Sequence, residues 1–80
     1  MRGPVYGVPG GTITINVGPN DSTIEVTDPT TQKSTSYKVE PGKDTTIRLP
    51  HAPGGSFVRI QVGNGLHAQF ILVELIELGT

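Results

Sequence analysis

The chain of 80 residues has no cysteine and no tryptophan. The first absence excludes disulfides and thiolate metal sites. A domain this small must then rely on an economical core, on oligomerisation, or on docking to something larger. The second leaves an aromatic inventory of only Tyr6, Tyr37, Phe57 and Phe70. A basic excess is also missing: 6 Lys and Arg against 7 Asp and Glu give a net charge of −1. Nothing in the composition answers to a phosphate backbone, so no nucleic-acid partner is expected. No run approaches the ~18 consecutive apolar residues of a membrane span, and no membrane insertion is expected. The opening from Met1 to Gly7 lacks the apolar stretch of a signal peptide. The expectation is therefore cytoplasmic synthesis, with a place on a virion or an origin as a fragment of a surface protein both open.

What the chain does have is 11 glycines, 7 prolines and short runs of alternating β-branched residues. Residues 1–11 hold Gly3, Pro4, Gly7, Pro9, Gly10 and Gly11 and read as a flexible N-terminal arm. Val5, Tyr6 and Val8 would anchor that arm if it ordered on a neighbour. From Thr12 onward a single domain, 12–80, begins with strict period-two alternation. Ile13, Ile15 and Val17 share one face of the first expected strand, and Ile24 and Val26 share one face of the second. Tyr37 and Val39 point inward in the third, Ile47 and Leu49 in the fourth, and Val58, Ile60 and Val62 in the fifth. Turn chemistry separates them. Gly18-Pro19-Asn20-Asp21 and Asp28-Pro29-Thr30-Thr31 are turns, and Glu40-Pro41-Gly42-Lys43 suits a type II turn. Pro50 to Gly55 is the longest loop, and Gly63-Asn64-Gly65 is expected to make a tight hairpin.

The segment from His67 to Leu78 is apolar on more than one side. As a strand it sets Phe70, Leu72, Ile76 and Leu78 with Glu74 on one face, and Ile71, Val73 and Leu75 with Glu77 on the other. As a helix it would put Glu74 and Glu77 on one side and Ile71, Leu75 and Leu78 on the other. The β-branched content and the preceding hairpin signal favour the strand. The expected fold is all-β, a small antiparallel β-sandwich of about six strands. A small β-barrel and a helical C-terminal segment are the alternatives.

The stretch Tyr37-Lys38-Val39-Glu40-Pro41-Gly42, Thr45-Thr46-Ile47-Arg48-Leu49, Pro53-Gly54-Gly55, Phe57-Val58-Arg59-Ile60-Gln61-Val62-Gly63-Asn64-Gly65 resembles the second half of fibronectin III and related immunoglobulin-like modules. The resemblance covers about a third of the chain and departs from the pattern in three ways, one being that six strands are read where seven are usual. No tryptophan is present, and Phe57 stands where a tyrosine hydroxyl would close a corner. It implies a sandwich acting as a spacer or contact surface and carries no catalytic residue.

Chemistry-bearing residues are sparse. His51 and His67 are sixteen apart, which is no zinc spacing, and no Gly-x-Ser-x-Gly elbow exists. Asn20, Asp21, Asp28 and Asp44 lack the dense spacing of a calcium loop and suit Asx turns. No enzyme activity and no cofactor are expected. The expected function is structural: self-association, or docking on a larger assembly, with a protein as partner. Its surface would be the apolar C-terminal strand with the N-terminal arm, namely Val5, Tyr6, Val8, Phe70, Ile71, Val73 and Leu75. The reasoning is that a sandwich buries one face of each strand, which would leave the Ile71, Val73, Leu75 row uncovered unless the N-terminal arm, or a bend that switches faces near Glu74, buries it within one chain. A capsid decoration protein and a surface spacer or adhesion module are roles of this kind. The alternative is a ligand-binding module for carbohydrate or calcium, using the loops at 18–21 and 50–56.

Overall fold

The computed structural model of the chain describes residues 5–77. Residues 1–4 of the arm, and the Leu78 assigned above to the last strand, lie outside the described residues. Seven strands are found within them: β1 (Val5–Gly7), β2 (Thr12–Asn16), β3 (Thr23–Thr27), β4 (Ser34–Lys38), β5 (Asp44–Arg48), β6 (Phe57–Val62) and β7 (Gln69–Leu75). One 3-10 turn, Gly65–His67, is the sole helical element among the described residues. The fold is all-β. The C-terminal segment is strand over Gln69–Leu75 and not helix. The strands form two sheets and do not close into a barrel.

The larger sheet has the order β1-β7-β6-β3-β4, and the smaller pairs β2 with β5. All pairings are antiparallel except β1 with β7, which run parallel with Val5 opposite Val73 and Gly7 opposite Leu75. The first strand thus lies in the segment expected to be a flexible arm. Local chemistry does not explain it, because three residues among glycines and prolines have no strand pattern of their own. Long-range contacts do: Val5 packs against the core, and Ile76 N–H donates to the Gly7 carbonyl at 2.8 Å. Gly7 suits the close approach there, since a Cβ at this position would press on Leu49 Cδ1.

Both sheets contribute to one apolar cluster. The smaller sheet provides Ile15 and Ile47, with Val17 and Leu49 just past the strand ends. The larger provides Ile24, Val26, Val58, Ile60, Val62, Val73 and Leu75. The alternating residues expected to point inward do so in β2, β3, β5 and β6. In the third expected strand Val39 is half-buried, but Tyr37 is exposed. It pairs with Ile24 on the edge strand β4, where no further strand flanks it among the described residues.

The connections show where turn chemistry was sufficient. Gly42 has φ +77, as the third position of a type II turn requires, and Lys43 N–H donates to the Glu40 carbonyl. Asp28 Oδ1 accepts from Thr30 N–H at 2.8 Å, an Asx turn. The expected tight hairpin at Gly63-Asn64-Gly65 is wider. Six residues, Gly63 to Ala68, join β6 to β7, and they include the 3-10 turn.

Candidate functional site

The register between β6 and β7 decides which apolar row of the last strand meets water. Val58 pairs with Val73 and Ile60 with Ile71. Residues opposite each other on neighbouring strands share a face. Since Val58 and Ile60 are wholly buried, Ile71, Val73 and Leu75 turn inward with them. Val73 is 0% exposed and Leu75 1%. The expectation that this row would lie uncovered is therefore corrected: the chain buries it itself. Val5 is half-buried against the same core. Of the residues proposed for an interface, Tyr6, Val8 and Phe70 are exposed.

The opposite row is the one left in solvent. Phe70 is 54% exposed and Leu72 59%. On the adjacent strand Phe57 faces the same way at 53%, and on the other side Tyr6 does so at 53%. Tyr6 and Phe57 both lie opposite Glu74, while Arg59 lies opposite Leu72 and Gln61 opposite Phe70. The result is a contiguous patch on the outer face of β1, β7 and β6, with Arg59 and Glu74 set among four large apolar side chains. The guanidinium of Arg59 sits over the Phe70 ring, 4.6 Å from its centroid. Among the described residues the one ion pair is Lys43 with Glu40, so neither Arg59 nor Glu74 is paired there.

The rest of the exterior has a different character. Outward positions of the smaller sheet are Thr12, Thr14 and Asn16 opposite Arg48, Thr46 and Asp44. They bond to one another: Thr14 Oγ1 with Thr46 Oγ1 at 3.0 Å, and Asn16 Nδ2 to Asp44 Oδ1 at 3.1 Å. The outer face of β3 and β4 carries Thr23, Glu25 and Thr27 opposite Lys38, Ser36 and Ser34. Apart from Tyr37 on the edge strand β4, the exposed large apolar residues within the strands lie on the β1-β7-β6 half of one face.

The loops give less. The antiparallel pairing of β2 and β5 puts the 18–21 loop at one end of the molecule and the 50–56 loop at the other. The two loops therefore do not come together in one site. A polar cleft of about 540 Å³ does join Asn20 and Asp21 to Asn64 and His67 at the first end. Leu66 beside it is fully exposed. His51 lies at the far end with Arg48 and Pro50. Among the described residues no three His, Asp or Glu side chains are grouped to hold a metal ion. Comparison with protein-family models, with curated proteins and with solved structures finds no match.

Phe57 and Leu72 were the residues that sequence reasoning missed. A usable signal was the place of Glu74. It falls inside the strand and must reach solvent, so its face, with Phe70 and Leu72, is the outer one. Glu77 falls past the strand end and places no such demand on Ile71, Val73 and Leu75.

Proposed function

We propose that this chain is a non-catalytic interaction module of immunoglobulin-like β-sandwich type, which docks on a protein through the outer face of β1, β7 and β6. The strand arrangement supports the sandwich reading. A β7-β6-β3-β4 sheet opposed to a β2-β5 pair matches the G-F-C-C′ and B-E strands of immunoglobulin domains, with β1 added beside the last strand. The observation that carries the docking reading is the exposure of Tyr6, Phe57, Phe70 and Leu72 on one face, while every outward residue of the smaller sheet is polar. Large aromatic side chains gathered around an arginine make the composition of a protein contact surface, in contrast to that of a solvated sheet. A part in a larger assembly, such as a decoration or spacer element, suits a surface of this kind.

Photo-crosslinking tests the proposal. Phe70 is replaced by photoreactive benzoylphenylalanine, and in a parallel protein Thr14 on the other sheet is replaced in the same way. Irradiation of the producing cells should give one or a few discrete protein adducts from position 70 and none from position 14. Equal, diffuse labelling from both positions would show that the aromatic face is an ordinary solvated surface.

A further inference from the structure

We infer that the partner on this face is a second copy of the same chain, packed face to face about a two-fold axis. This rests on the docking reading above and adds the identity of the partner.

Two observations point to a copy of the chain. The first is charge. Among the described residues the outer face of the larger sheet carries Arg59 and Lys38 against Glu25 and Glu74, so these balance with both signs interspersed. Such a face can complement itself, whereas a face of one sign would repel its copy. The second is area. Four large side chains, each a little over half exposed, present on the order of 400 Å² of apolar surface. A stable interface takes roughly 800 Å² from each partner, with an apolar centre and a polar rim. The patch provides the centre, and Gln61, Glu25 and Thr27 beside it provide the rim.

The register fixes how two copies would fit. Neighbouring strands lie ~4.8 Å apart, and successive residues on one face lie ~6.8 Å apart along a strand. On this lattice Phe57, Glu74 and Tyr6 stand level on β6, β7 and β1, and Arg59 and Leu72 stand level one step further. A two-fold axis in the plane of the face, along the diagonal that passes close to Phe57 and Leu72, sets each of these two against its own counterpart. The same rotation brings Arg59 over Glu74 of the partner subunit. The strands of the two sheets then cross at roughly 70°, twice the inclination of that diagonal to the strands. Phe57 and Leu72 each meet their own copy, and the two charges that have no ion-pair partner among the described residues find each other twice. The stacking of Arg59 on Phe70 already holds the guanidinium over the face.

Sedimentation velocity over a concentration series tests this directly. Wild type should sediment as a dimer at roughly 100 µM, a concentration at which an interface of standard size is well populated. Arg59→Glu and Glu74→Arg should each weaken the dimer by ~10-fold or more, because each creates two like-charge contacts. An equimolar mixture of the two variants should recover the dimer, since both contacts become attractive in the mixed pair. Circular dichroism of each variant establishes that it is folded. Wild type that stays monomeric at ~500 µM would overturn the second-copy assignment, as that lies far above the range of specific dimers. So would a dimer indifferent to both charge reversals, or variants that fail to re-associate when mixed. The docking reading falls on a different result, the uniform crosslinking at positions 70 and 14. A discrete adduct at position 70 of mass other than twice the chain would keep docking and remove the second copy.

Discussion

The guanidinium of Arg59 lies over the Phe70 ring at 4.6 Å, and both side chains project from the outer face of the same sheet. An exposed contact of this kind contributes only about 0.5–1 kcal/mol. It matters more for what it orients than for what it stabilises, because it keeps a cation in the middle of an apolar patch. Phe70 and Val73 sit three positions apart on β7 and turn opposite ways. Phe70→Thr should therefore change unfolding free energy by less than about 1 kcal/mol, within the range of surface substitutions. Val73→Ala should cost about 2 kcal/mol by emptying part of the core. Urea denaturation at a concentration low enough to suppress association separates the two. A larger loss from Phe70→Thr than from Val73→Ala would mean that the face assignment is reversed.

Gly7 and Leu49 make a second pair whose closeness can be tested. A Cβ on Gly7 would overlap Leu49 Cδ1 and stand 3.2 Å from Val73 Cγ1. Gly7→Ala should cost about 1–3 kcal/mol through overpacking. Its effect should concentrate where β1 meets β7, so hydrogen exchange at the Ile76 amide, which donates to the Gly7 carbonyl, should accelerate. Unchanged exchange there would show that β1 is not held by this contact.

Gln32 is the one residue other than glycine with positive φ among the described residues, at 61°. It closes the turn between β3 and β4, where its N–H donates to the Asp28 carbonyl at 2.8 Å. A side chain in this region costs about 1–2 kcal/mol, part of which glycine returns through greater freedom in the unfolded chain. Gln32→Gly should thus raise stability by about 0.5 kcal/mol, a gain of roughly 2–4 °C in Tm for a domain of this size. A fall in Tm would show that the Gln32 side chain makes a contribution its backbone angle does not reveal.

Much of the fold was legible because its information is local. Alternation placed β2, β3, β5 and β6 to within a residue or two, and Pro41-Gly42 announced a turn whose glycine has the expected positive φ. The parts that were not legible depend on pairing between distant residues. β1 is a strand because Val5 and Gly7 meet Val73 and Leu75, and nothing within residues 1–11 reveals that. The choice of face in β7 depends on register with β6, which the six-residue connection sets and the Gly-Asn-Gly signal misstated. The same row of residues, Ile71, Val73 and Leu75, was therefore assigned to the surface when it belongs to the core. The apolar character of both faces was legible; the identity of the outer one was not. Likewise, loops 18–21 and 50–56 look equivalent as sequence, and only the antiparallel β2-β5 pair separates them to opposite ends.

Hydroxyl-radical footprinting, in the producing cells and on the dilute purified chain, gives the most direct measurement of whether the β1-β7-β6 face is covered in use. Tyr37 is the internal standard, as it is exposed at 36% on the edge strand and away from that face. Labelling of Phe57, Phe70 and Leu72 relative to Tyr37 should fall by ~5-fold or more in cells, because buried interface centres exclude water. Equal relative labelling in both settings would leave the aromatic face bare wherever the protein works and would contradict its role as a docking surface.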